Sequence, residues 1–214
     1  MEQEVMSYSL LEMATKGGWI MIVLAVLSVI AIYIFGKKLW MISKASKIDR
    51  YFMNDIQDAL NEGKTDAAKA LCAKYDSPVA RMVEKALDRQ DKPLQEVQSA
   101  MENIGNVEME RLEKGLSGLA SIAGGGPMIG FLGTVTGMIR AFFNMANSGN
   151  NVDITLLSGG IYEAMVTTVG GLIVGIVAYF AYNYLVGRTT ALTAQMDTAT
   201  MDMLDILESK KSKK

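Results

Sequence analysis

The sequence predicts an all-α membrane protein in which three transmembrane helices carry long helical extensions outside the bilayer. Three observations predict it. Of the chain's 21 basic and 23 acidic side chains, 28 lie within residues 36–114, whereas residues 17–36, 115–139 and 164–187 hold none. Each of these uncharged runs reaches the ~20 residues that cross a ~30 Å hydrocarbon core as a helix. Elsewhere apolar residues recur at helical spacing, with no alternation that would mark a strand and no internal repeat.

Composition removes several functions. The chain has no histidine, which excludes imidazole metal sites, Ser-His-Asp and Cys-His nucleophiles and histidine proton relays. A lone Cys72 among Ala and Leu cannot close an intrachain disulfide and reads as a buried packing residue. A net charge of -2 carries no nucleic-acid footprint, and the basic tail of Lys210, Lys211, Lys213 and Lys214 reads as topology. No metal, cofactor or enzymatic activity is expected; Gly124–Gly126 lacks the Lys-Ser/Thr continuation of a phosphate-binding loop.

In chain order, residues 1–17 form a short segment on the outer, periplasmic side, and residues 18–36 the first span. Trp19 and Tyr33 stand near its ends, where amphipathic rings prefer the interface. Lys37 and Lys38 follow the apolar run, whereas a cleaved signal peptide would put its positive charges before it, so a retained helix is expected. Residues 37–114 form a cytoplasmic helical region. Thr65-Asp66 and Ser77-Pro78 are helix-start signals and Pro93 can open another helix. Val97, Met101 and Ile104, then Leu112, Leu116 and Leu119, keep a helical spacing that predicts one long helix running into the second span, residues 115–145.

A periplasmic loop, 146–160, leads to the third span, 161–187, and residues 188–214 form a cytoplasmic helix and tail in which Leu192, Met196, Met203 and Leu207 continue a helical stripe. Basic residues set the direction: only Lys16 precedes the first span, whereas Lys37, Lys38, Lys44, Lys47 and Arg50 follow it, and Arg188 and the lysine tail follow the third. This places the N-terminus outside and the C-terminus in the cytoplasm.

The second and third spans are rich in small residues, which let helix backbones approach closely, so these two should face protein while the first faces lipid. On a helical wheel Gly126, Gly130, Gly133 and Gly137 fall within about 60° of one another with Thr134 at the edge. Gly160, Ala164, Thr167, Gly171 and Ala178 form the matching stripe, flanked by Thr168 and Glu163. Such faces can be packing seams whose hydroxyls bond their own helix, or can line a narrow hydrated path. No carboxylate or amine lies mid-membrane, and Thr134, Thr136, Thr167 and Thr168 cannot hold and release a proton near neutral pH. If protons cross here, another chain supplies the carrier; three helices also enclose no pore, so an oligomer is expected.

The run Pro127-Met128-Ile129-Gly130-Phe131-Leu132-Gly133-Thr134-Val135-Thr136-Gly137 resembles the first membrane signature of the ExbB/TolQ/MotA proton-channel family. Gly160 to Leu172, followed by Ala181-Tyr182-Asn183, is similar to its second, and Ser77-Pro78-Val79-Ala80-Arg81 resembles a cytoplasmic segment of ExbB-like members. The likeness runs from about residue 18 to 190 and is nearest the three-span ExbB branch. It implies a pentamer in the bacterial inner membrane whose second and third spans line a central pore around a dimer of single-span ExbD-like helices. An aspartate of that partner is the proton carrier, and proton passage energises a TonB-like protein acting at the outer membrane. By position, Thr134 and Thr168 become the pore-facing hydroxyls, with Thr167 beside them, and Glu163 the acidic residue at the outer end of the third span. Thr136 stands where the family often has Trp, and Gly124–Gly126 holds more glycine than usual, which would allow a kink before Pro127. Arg140 could pair with Asp153 or Glu163 or meet headgroups. A TolQ-like or motility-motor stator, and a non-conducting scaffold, are the alternatives.

Overall fold

A computed structural model describes residues 18–147 and 154–212. The 1–17 segment, Asp153 and the last two lysines lie outside the described residues. Seven helices follow one another among the described residues: α1 (Gly18–Ala45), α2 (Phe52–Asn61), α3 (Thr65–Ala73), α4 (Pro78–Asp88), α5 (Leu94–Glu113), α6 (Leu116–Asn147) and α7 (Ile154–Ser212). Three are long and apolar enough to cross a bilayer: α1, α6 with the segment before it, and α7. Contacts divide the chain into two units, residues 18–35 with 115–183, and residues 36–114 with 184–212.

In the first unit α1 runs beside α7, with Gly18 against Glu163 and Met21 and Leu24 against Gly170, while Ile34 touches Gly118 of α6. Helix α1 buries only Ile20, Leu24 and Ala31 here and exposes Ile22, Val26, Val29 and Ile32. The small-residue faces of α6 and α7 meet each other, yet both helices also turn large side chains outward, among them Met128, Phe131, Ile139 and Phe143, and Ile173, Val177 and Phe180. In one chain, then, lipid-type surface is not confined to the first span.

The second unit is a helical bundle in which α2 packs on α3, α3 on α4 and α4 on α5. Phe52, Ile56 and Leu60, spaced at i, i+4 and i+8, are buried on α2, as are Ala68 and Cys72 on α3; burial pushes the Cys72 thiol up to about 12. Ser77 caps α4, its hydroxyl accepting from the Ala80 N–H at 3.1 Å with Pro78 in the first turn, which satisfies one donor that a helix start leaves unpaired. Thr65 does not act that way: Lys64 holds the cap position of α3 with no side-chain bond, and Thr65 is the first helical residue. Leu185, Thr189, Leu192, Met196, Ala199, Met203 and Ile206 of α7 are all buried, and their alternating steps of four and three are the heptad seam of packed helices.

The expected single helix from the bundle into the second span is corrected. It breaks at Lys114, which has φ -52 and ψ 116, and Gly115, which has φ +95, a conformation that glycine adopts without the Cβ penalty of other residues. Beyond the break α6 stays helical through Pro127.

Four charges tie the bundle together. Arg81 of α4 donates from Nε and Nη2 to the Glu108 carboxylate of α5, each at 2.8 Å, and from Nη1 to Asp76 at 2.7 Å, while Lys44 of α1 reaches Asp76 at 2.8 Å. Hydrogen bonds from Lys44 and Arg81 hold the Asp76 carboxyl down at about 2.

Candidate functional site

The seam between α6 and α7 is built on missing side chains. A Cβ placed on Gly171 would lie 2.6 Å from the Gly126 carbonyl oxygen and 2.8 Å from the Gly130 Cα, and one on Gly130 would lie 2.8 Å from the Thr167 carbonyl oxygen. Both are far inside the ~3.5–4.0 Å at which carbon atoms touch. The register continues along the pair, Gly126 against Gly175, Gly133 against Thr167, Gly137 against Ala164 and Gly160 against Ala141, so the helices run antiparallel. Gly175 also receives the Pro127 ring, a contact that sequence reasoning missed although its signal, glycine four residues after Gly171, was there.

Close approach brings the hydroxyls together. Thr134 and Thr168 are hydrogen-bonded to each other. Thr134 also reaches the Ala164 carbonyl at 3.1 Å and Thr168 the Gly130 carbonyl at 3.3 Å. Thr134 reaches the Gly130 carbonyl as well, at 3.4 Å, and each hydroxyl has one proton and can also accept, so the pair has more than one complete arrangement. Either Thr168 donates to Thr134 and Thr134 to the carbonyl of Ala164 or of Gly130, or Thr134 donates to Thr168 and Thr168 to the Gly130 carbonyl. Both side chains are half-buried.

Thr167, 2% exposed, lies inside the seam, its hydroxyl bonded to the Ala164 carbonyl at 2.7 Å and the Gly130 carbonyl at 3.3 Å. Thr136 is turned outward and bonds its own helix at Leu132, 2.9 Å. Glu163 and Arg140 line one small cavity with Gly18, Thr136, Gly137 and Thr167. The Glu163 carboxylate rests on Gly18 at the start of the described part of α1, where a Cβ would fall 2.6 Å from Oε1. Among the described residues no ion pair joins Arg140 to Glu163.

Residues 74–198 match the model of the MotA/TolQ/ExbB proton channel family. A putative biopolymer transport protein ExbB homolog of Methanothermobacter thermautotrophicus is 35% identical over 184 residues, which is 84% of this chain and 64% of that protein. A putative biopolymer transport protein ExbB-like 1 of Synechocystis is 30% identical over 179 residues, 83% of this chain and 70% of that protein. The biopolymer transport protein ExbB of Neisseria gonorrhoeae is 41% identical over 95 residues, 44% of this chain and 43% of that protein. The chain thus spans a little under two thirds of the first relative's length and less than half of the third's.

Proposed function

The chain belongs to the MotA/TolQ/ExbB proton channel family, nearest ExbB, and from that premise we propose that it is the stator subunit of a motor driven by the proton-motive force. It is an ExbB-like multi-pass protein of the inner membrane. In this reading its N-terminus is periplasmic and its C-terminus cytoplasmic. Several copies, five by family likeness, surround an ExbD-like single-span dimer, and the motor energises a TonB-like protein for transport across the outer membrane.

The observation that carries this reading is the hydroxyl pair, Thr134 with Thr168, in two spans that hold no carboxylate mid-membrane. A proton that leaves a partner's aspartate needs a neighbour that accepts on one side and donates on the other, then resets. The arrangements of the pair differ only in hydroxyl rotation, so Thr134 and Thr168 can hand a proton on without keeping it. Thr167 fixes the seam that holds them, and Glu163, in contact with Gly18 of α1, marks the outer mouth. Gly126, Gly130, Gly133, Gly137 and Gly171 keep the two helices close enough for the pair to form. One proton crossing 100 mV releases about 2.3 kcal/mol, enough to break one or two hydrogen bonds of about 1 kcal/mol each.

A second reading, a non-conducting scaffold, is favoured by one observation: all three seam hydroxyls already have partners within the two helices. Proton flux into liposomes separates the two. Wild type with its ExbD-like partner should conduct, Thr168→Val should conduct far less while still assembling, and the chain without the partner should be silent. Equal flux in Thr168→Val would remove the hydroxyl pair from the mechanism.

A further inference from the structure

Two cavities flank one stretch of α7. The first, of 390 Å³, opens between α4, α5 and α7 and is walled by Met82, Met109, Met196 and Met201. Its floor is Gly105 of α5, where a Cβ would lie 3.3 Å from the Met196 methyl and 3.4 Å from the Met82 methyl. Thioether side chains re-pack readily around an incoming group. Glu102 and Asp197 also line this cavity, whereas no lysine or arginine does. The second cavity, of 570 Å³, lies where α1 turns into α2 and places Asp49 and Arg50 beside Asp202 of α7. Thr193, Met196, Asp197, Thr200 and Met201 face the first cavity, and Ala194, Gln195, Thr198, Ala199 and Asp202 the second. At 3.6 residues per turn the two sets centre about 160° apart on the helix. The cavities therefore open on opposite flanks of α7 at one level.

On the second flank the turn between α1 and α2 projects. Lys47 and Arg50 are exposed and Tyr51 is 65% exposed. The turn is fixed from within: the Tyr51 N–H donates to Asp49 Oδ1 at 2.9 Å and the Phe52 N–H to the Asp49 carbonyl at 3.1 Å, and Phe52 is buried. Asp49 thus serves its own turn, and Arg50 is presented on a backbone that needs no further ordering. Among the described residues none of Lys47, Arg50, Glu102 and Asp197 forms an ion pair. A projecting cation on one flank and a cavity with two carboxylates on the other are complementary, and such unlike faces joined head to tail close a ring. Rotation about an axis normal to the bilayer keeps every residue at its own depth, so groups at one level of α7 meet across neighbouring copies. We propose that Arg50 of one copy enters the methionine-walled cavity of the next, its stem on the thioethers and its guanidinium between Glu102 and Asp197, with Tyr51 against Met201. The proposal rests on the several-copy reading above and names the contact that joins the cytoplasmic bundles.

Cross-linking in membranes tests it. Tyr51→Cys combined with Met201→Cys should give a ladder of covalent oligomers with a short bismaleimide. Either single variant, which still carries the buried Cys72, should stay monomeric. Adding Arg50→Glu should abolish the ladder, and adding Asp197→Lys to that variant should restore it. A ladder that persists with Arg50→Glu, no restoration by Asp197→Lys, or no ladder in the double-cysteine protein would overturn the proposal. So would linking that stops at the dimer, which marks a two-fold contact instead. Native mass spectrometry of the wild-type protein in detergent separates this failure from that of the several-copy reading: an oligomer without the ladder removes the Arg50 contact alone, and a monomer removes both.

Discussion

Replacing Gly171 by alanine tests the seam directly. The new Cβ would lie 2.6 Å from the Gly126 oxygen, 2.8 Å from the Gly130 Cα and 3.0 Å from the Gly130 nitrogen. All three are backbone atoms, so no side chain can swing away, and restoring ordinary contact requires the helices to part by about 1 Å. A gap of that size forfeits a quarter to a half of the dispersion energy of every pair facing it. It also stretches the hydroxyl bonds of Thr167 and Thr168 to the Gly130 carbonyl, already 3.3 Å, beyond hydrogen-bonding range. With overpacking at 1–3 kcal/mol and membrane hydrogen bonds at about 0.6 kcal/mol each, the expected loss is roughly 2–4 kcal/mol. The control is Gly187→Ala in the same helix, where nothing lies within 4 Å and alanine gains up to about 1 kcal/mol of helix propensity. Unfolding in mixed micelles of increasing denaturing-detergent fraction, followed by circular dichroism, reads both. If Gly171→Ala is as stable as wild type, or the two substitutions shift stability in the same direction, the close backbone approach is refuted.

The remaining predictions concern the bundle. The Asp76 carboxyl is held down at about 2, below its value in an unfolded chain, so its contribution is present above about pH 4 and is lost as pH falls toward 2. Asp76→Asn should therefore melt below wild type at neutral pH, with the gap closing over that acid range. Ser77→Ala removes the α4 cap and should cost about 1 kcal/mol in chemical denaturation, with α4 helicity reduced. Cys72, buried with its thiol at about 12, should resist alkylation at pH 8 in the native protein and react fully in denaturant, as judged by mass spectrometry.

What was legible in the sequence was whatever depends on a residue's own period or charge. The three spans could be read because a charged side chain in hydrocarbon is costly, and the stripe of Leu192, Met196, Met203 and Leu207 because burial follows the helical repeat. The Ser77 cap was legible because serine before proline has a local use, and the same reasoning failed at Thr65, where Lys64 took the cap position. The break at Gly115 was hidden because an apolar stripe continues through it from Leu112 to Leu116; only the glycine hinted that the backbone turns there. Lys38 was read as a topology signal, and its role as a cap for α5, whose Arg111 and Leu112 carbonyls accept from its Nζ at 3.1 Å, depends on a helix more than seventy residues away. Such a contact has no signature in the local sequence.

The hydroxyl pair connects both spans to the rest of the argument. Close packing of two helices costs nothing in polar burial only if every hydroxyl drawn into the seam is satisfied, and here the Gly130 carbonyl is within reach of three threonines at once. A carbonyl has two lone pairs, one of them used by the helix itself, so these threonines compete for it and the network retains more than one complete setting. A purely structural seam gains nothing from that degeneracy; valine at one of the two positions would pack as well and leave fewer polar groups to satisfy. A path that must pass a proton and then reset needs that degeneracy. Because no setting stores a charge, a proton path of the proposed kind would be complete only with a titratable group from another chain beside Thr134 or Thr168. The variant that distinguishes these alternatives is Thr134→Ser, which keeps the hydroxyl and removes a methyl. It should retain proton flux in the assembled complex, whereas Thr134→Val, which keeps the volume and removes the hydroxyl, should lose it. Equal flux in the serine and valine variants would show that the seam serves packing alone.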